Sequence, residues 1–120
     1  METPKIFESE YRFCQILWEH EPVSSTELVR LCRETLGWKK STTYTVIKRL
    51  SERGVVRLEN AVVTALVSRE QVQRSESRQL IDRAFNGSLP QFIAAFASGK
   101  ALTRQEITEI RQLIDACEEE

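Results

Sequence analysis

The sequence predicts a mainly α fold with a small β-hairpin: a winged helix-turn-helix domain over residues 1–68, followed by a helical dimerisation domain over residues 69–120. Three observations carry that reading. Thr43, Val46, Ile47 and Leu50 recur at i, i+3, i+4 and i+7 between Ser41 and Arg53, which is one face of an α-helix. A shorter amphipathic stretch precedes it across a turn that contains Gly37. Behind Gly54 the helical period gives way to β-branched runs, the pattern of a hairpin.

The outward face of the Ser41–Arg53 helix suggests what it meets. Ser41, Thr42, Thr45, Lys48, Arg49 and Glu52 fall away from the apolar stripe, small hydroxyls first and cations after. Hydroxyls can approach base edges in a major groove, and cations can reach phosphates. The alternative at this stage is an ordinary amphipathic helix with a solvated charged face. Charge distribution favours the first reading. The formal net charge is only −1. Yet residues 30–57 hold eight Lys and Arg, among them Lys39 and Lys40 just before the helix, against Glu34 and Glu52.

Composition bounds the remaining classes. At 41% hydrophobic and 29% charged, the 120 residues are those of a folded chain of one or two small domains. No apolar run approaches the roughly 18 residues of a membrane span, and no signal peptide opens the chain, so a cytoplasmic location is expected, not membrane-inserted. Cys14, Cys32 and Cys117 are far apart and lack CxxC spacing. They read as reduced thiols rather than metal ligands, and no cofactor is expected. His20 is the one histidine, and there is no GxSxG, HExxH or Gly-rich phosphate loop, so an enzyme is not expected.

In chain order, Pro4 discourages helix in the first residues, and Ser9 to His20 reads as a first helix with Phe13, Cys14, Leu17 and Trp18 inward. Pro22 ends it. Ser24 with Glu27 is a capping box for a second helix that buries Leu28, Leu31, Cys32 and Leu36 and stops at Gly37, with Trp38 tucked under the turn. Val55–Leu58 and Val62–Val67 are the hairpin strands, turned by Glu59-Asn60-Ala61. Ser68 to Phe85 is a helix with a thin apolar stripe, ended by Asn86-Gly87. Ser88 caps a short apolar helix with Pro90 in its first turn, and Thr103 with Glu106 caps the last one.

The segment from Leu80 onward carries more apolar side chains than three short helices can enclose. Leu80, Ala84, Phe85, Leu89, Phe92, Ile93, Phe96, Ile107, Ile110, Leu113 and Ile114 are the candidate dimerisation residues. Docking of this tail on the N-terminal domain is the alternative. A dimer would also supply two reading helices for a two-fold operator.

These residues in this order resemble the penicillinase and methicillin-resistance repressor family. The resemblance runs through Glu10-Tyr11 and Ile16-Leu17-Trp18, then Gly37-Trp38, Ser41-Thr-Thr-Tyr-Thr45, Arg49-Leu50 and Arg53-Gly54. It continues through Asp82-Arg83, Phe85, Gly87-Ser88-Leu89, Leu102, Glu106 and Leu113. It implies a homodimeric winged-helix repressor on a palindromic double-stranded DNA operator, often of a resistance or stress gene, with a membrane-bound sensor protease upstream. On that implication Ser41, Thr42, Tyr44 and Thr45 approach bases, while Lys39, Lys40, Lys48, Arg49 and Arg53 meet phosphates. Arg49 has a second reading, as a brace to Glu52 or a helix end.

The sequence departs from the family in its hairpin, which lacks the usual Gly-Arg and aromatic residue. It departs again at Ala95-Phe96, where best-known members have a cleavable Asn-Phe bond, and this leaves release by that cut open. The Cys-rich tail of copper-responsive relatives is absent. The second function carried forward is a winged-helix protein-interaction module without operator binding.

Overall fold

The fold is built on burial of the periodic stripes just described. The computed structural model describes residues 3–117 and 119. Its elements are α1 (Glu8–His20), β1 (Val23–Ser24), α2 (Ser25–Leu36), α3 (Lys40–Glu52), β2 (Val56–Glu59), β3 (Val62–Ala65), α4 (Arg69–Phe85), α5 (Leu89–Gly99) and α6 (Arg104–Ala116). They form two compact units, Met1–Glu76 and Ser77–Glu120. The division falls beyond the expected junction at Ser68 because Val67 and Val72, on either side of the α4 start, are buried in the core of the first unit.

That core takes Phe13, Cys14 and Leu17 from α1, Leu28 and Cys32 from α2, and Val46, Ile47 and Leu50 from α3, closed by Val55, Val56 and Val63. Burial pushes the Cys14 thiol up to about 12, and nearby Glu10 adds to the shift. The Cys32 thiol is raised as well by burial, with the Thr43 hydroxyl beside it opposing. Both are small core residues rather than reactive ones.

Local signals end the helices as their residue types require. Ser24 Oγ accepts from the Glu27 amide at 3.1 Å. The return half of that capping box does not form, because the Glu27 carboxylate pairs with Arg30, a charged donor. Gly37 sits at φ 70°, and its amide donates to the Arg33 carbonyl at 3.1 Å, the αL form of helix stop, while the Trp38 amide donates to the Cys32 carbonyl at 3.3 Å. Trp38 then stacks on Phe13, 6.2 Å between ring centroids. Trp18 anchors the far side of the core and donates its Nε1 to the Val67 carbonyl at 2.9 Å.

The sheet has three strands where two were expected. β1 adds to the hairpin in the order β1-β3-β2, all antiparallel, with Val23 opposite Val63 and Ser24 opposite Val62. Glu59 pairs with Val62, so the hairpin turn is the two residues Asn60 and Ala61, at φ 53° and 62°. Two positive φ values in a two-residue loop are the type I′ pattern, in which the second position favours glycine. Ala61 bears a Cβ there and is strained.

In the second unit, Ser88 Oγ accepts from the Gln91 amide at the start of α5, and Thr103 and Glu106 exchange both bonds of a capping box at the start of α6. Phe85 meets Phe92 edge-on at 5.5 Å, and Phe92 lies 6.3 Å from Phe96. No residue of α5 or α6 is buried.

Ala61→Gly is expected to stabilise the first unit by about 1 kcal/mol, the cost of a left-handed L-residue. Urea unfolding of the two proteins compares them, and an unchanged midpoint would contradict the strain.

Candidate nucleic-acid interface

Helix α3 presents two opposed faces. Thr43, Val46, Ile47 and Leu50 are buried, and Ser41, Thr42, Thr45, Lys48 and Arg49 are exposed. The stripe fixes the outward set, since residues on a helix cannot trade faces without unburying the core. Lys39 and Lys40 are exposed at the helix start. Lys39 is the N-cap residue and no side chain caps it, so the first amides point outward among cations, an arrangement suited to a phosphate. Among the described residues, none of Lys39, Lys40, Lys48 and Arg49 is in an ion pair. Arg49 therefore braces neither Glu52 nor another carboxylate. Thr45 donates its hydroxyl to the Ser41 carbonyl at 2.9 Å, which leaves its oxygen as an acceptor.

Two of the nine residues grouped from sequence are used differently. Arg53 is a brace of the fold, not a solvent-facing cation. Its guanidinium pairs with the buried carboxylate of Glu10, donates to the Lys5 carbonyl at 2.8 Å, and lies 5.3 Å over the Phe7 ring. The reason is electrostatic: a buried carboxylate needs a partner, and Arg53, following the last turn of α3, is within reach. Tyr44 is half-buried against the core, with its hydroxyl donated to Ser25 Oγ at 3.1 Å. A ring that size at the stripe edge gains more by burial than by standing in water.

Arg30, Arg33 and Arg57 were counted from sequence without being assigned a role. Arg57 on β2 is exposed and in no ion pair among the described residues. Its place in the hairpin, one strand behind α3, is the signal that could have singled it out.

Comparison with known proteins agrees with this geometry. A sequence model of the penicillinase repressor family matches residues 6–116. The chain belongs to the penicillinase repressor family. The penicillinase repressor of Bacillus licheniformis is 22% identical over 116 residues, spanning 93% of this chain and 91% of that protein. The methicillin resistance regulatory protein MecI of Staphylococcus aureus strain Mu50 is 22% identical over 117 residues, spanning 94% and 95%. Over part of its length the fold is similar to the solution structure of monomeric B. licheniformis BlaI, in complex with the blaP half-operator. The TM-score is 0.51 at 22% identity, over 59% of this chain and 93% of that one. These similarities establish a winged helix and a repressor family.

The second unit of this chain places its apolar residues outward. Leu80, Ala84, Leu89, Ile93, Phe96, Leu113 and Ile114 are exposed, and Phe85, Phe92, Ile107 and Ile110 are half-buried. An open apolar cleft of about 380 Å³ runs between α5 and α6, floored by Phe92, Phe96, Ile110 and Leu113 and rimmed by Glu106 and Glu109. Among the described residues no helix is long and apolar enough to cross a membrane.

Arg53→Ala is expected to destabilise the first unit by about 2 kcal/mol. It leaves the Glu10 carboxylate buried without its cation, and the figure is set below that of a fully buried pair because the Arg53 side chain is 29% exposed. Lys48→Ala should leave stability unchanged. Denaturant unfolding of both variants separates brace from surface cation.

Proposed function

We propose that this chain is a sequence-specific DNA-binding transcriptional repressor that acts as a homodimer on a palindromic operator, of a resistance or stress operon. The single observation that carries the reading is the outward face of α3, where Ser41, Thr42 and Thr45 stand beside the unpaired Lys39, Lys40, Lys48 and Arg49. In that reading α3 lies in the major groove. Its hydroxyls meet base edges, and its cations meet phosphates on either side. The names of its relatives, penicillinase repressor and MecI, support repression as the outcome. The half-operator bound by BlaI supports one winged helix per half-site.

Pairing of two copies rests on the second unit. Phe96, Leu113 and Ile114 are each more than half exposed on its surface. Apolar side chains gathered in this way around a cleft fit a surface covered by an identical one, since a two-fold interface is self-complementary. A membrane-bound sensor protease upstream completes the circuit in the cytoplasm, and α5, which holds Ala95 and Phe96, is the segment to watch for a cut.

The interaction-module reading draws on one observation, the exposed Leu58, Val62 and Leu66 around the hairpin. Salt dependence separates the two readings. Operator binding loses affinity steeply with salt, by nearly one unit of log–log slope per phosphate neutralised, and a protein-only module does not.

Lys48→Ala is expected to weaken binding to every DNA sequence alike and to reduce the salt slope by about 0.9. A shift assay at several salt concentrations tests it, and an unchanged slope removes Lys48 from the interface. Ile110→Asp is expected to give a monomer in sedimentation velocity, whereas an unchanged mass would place the pairing surface elsewhere.

A further inference from the structure

Ser25 stands where three elements meet. As the first residue of α2, it donates its backbone amide to the Ala61 carbonyl at 2.8 Å. Its Oγ accepts the Tyr44 hydroxyl proton from α3 at 3.1 Å. Ser25 itself is buried, and its bond with Tyr44 is partly so, which limits competition from water. The chain Tyr44–Ser25–Ala61 therefore ties the reading helix to the tip of the hairpin. The tip needs such a tie. It is a two-residue turn with an alanine held at φ 62°, which relaxes unless its surroundings hold it. Arg57, the exposed and unpaired cation of the hairpin, is three residues upstream on β2.

We propose that Tyr44 is a positioning residue that acts through Ser25 to hold the Asn60–Ala61 turn, and with it Arg57, in fixed relation to α3. The inference rests on the DNA-binding reading above. Tyr44 then reads no base. It sets the angle at which the wing meets the duplex, and Arg57 supplies the wing's phosphate contact. A wing with no glycine at its turn is held by the scaffold rather than by the nucleic acid.

Tyr44→Phe keeps the ring and removes the hydroxyl, and Ser25→Ala removes the acceptor. Each is expected to lower operator affinity about 3- to 10-fold, the range for one lost hydrogen bond. Each should also reduce the salt slope by about one, as Arg57→Ala is expected to, with the order of preference among operator variants unchanged. The double variant should be no weaker than either single one, since both break the same chain.

Loss of preference at one base pair in Tyr44→Phe, with Ser25→Ala unaffected, would make Tyr44 a reader and overturn the proposal. Additive losses, or no loss, would overturn it too. Amide exchange tests the tie without DNA: the Ser25 amide should exchange faster in Tyr44→Phe while core amides of α1 keep their rates. An unchanged Ser25 rate defeats the tie. Failure of the unsubstituted protein to bind any operator DNA, with that exchange shift present, defeats the DNA-binding reading instead.

Discussion

Burial of Thr43, Val46, Ile47 and Leu50 is the constraint from which the rest follows. Four positions on one face of a 13-residue helix leave no rotational freedom. Once they are inside, Ser41, Thr42, Thr45, Lys48 and Arg49 are outside. The neighbouring helices and the sheet pack around that stripe, with Phe13, Leu17, Leu28 and Val55 in the same core. The outward surface is thus a by-product of the core, and its chemistry can vary without disturbing the fold. Hydroxyls and cations there cost little stability, so their presence asks for an external partner rather than a structural explanation.

The cations around α3 are divided between two tasks, and local electrostatics decides which does which. Arg30 lies between Glu27 and Glu34 on its own helix, and these hold it in ion pairs. The contact with Arg30 in turn holds the Glu27 carboxyl below its ordinary range. Arg53 is claimed by Glu10, whose burial makes an unpaired state costly. Lys39, Lys40, Lys48 and Arg49 have no carboxylate within ion-pair distance among the described residues and remain for a partner. A net charge of −1 hides this division, because most of the balancing carboxylates lie outside residues 30–57. Long-range steering by the whole molecule is then weak, and attraction to an anion acts at short range, within about 8–10 Å of the helix at physiological salt.

What could be read from the sequence was what depends on near neighbours in the chain. The α3 stripe, the Gly37 stop and the caps at Ser24, Ser88 and Thr103 all rest on residues within a turn or two of one another. What could not be read depends on distant ones. Arg53 meets Glu10 across 43 positions, and no local pattern tells a brace from a phosphate contact. Tyr44 finds Ser25 across 19 positions. β1 is two residues long and carries no period at all; it is a strand only because β3 passes beside it. The Ser68–Gln71 pair, whose reciprocal bonds of 2.7 and 3.1 Å open α4, was legible as S-x-x-Q and went unread. The family resemblance supplied the order of these parts but not the contacts that Arg53 and Tyr44 make within the fold.

The proposed pairing of the second unit has an energetic consequence for regulation. Leu89, Phe96, Leu113 and Ile114 are each more than half exposed. Covering them in two copies recovers about 1 kcal/mol apiece, roughly 8 kcal/mol in all, since part of each side chain is already covered. Association costs about 4–15 kcal/mol in lost freedom, the same order. The two terms are of the same order, so the population of such a dimer follows protein concentration and any event that damages α5 or α6. Two half-sites bound together gain from effective concentration what one winged helix cannot achieve alone. On the proposed reading, weakening the tail interface would empty an operator without touching α3. In that same reading, the outward face of α3 is fixed by its own core, whereas the second unit, with no buried residue in α5 or α6, is free of that constraint and is where a switch can act.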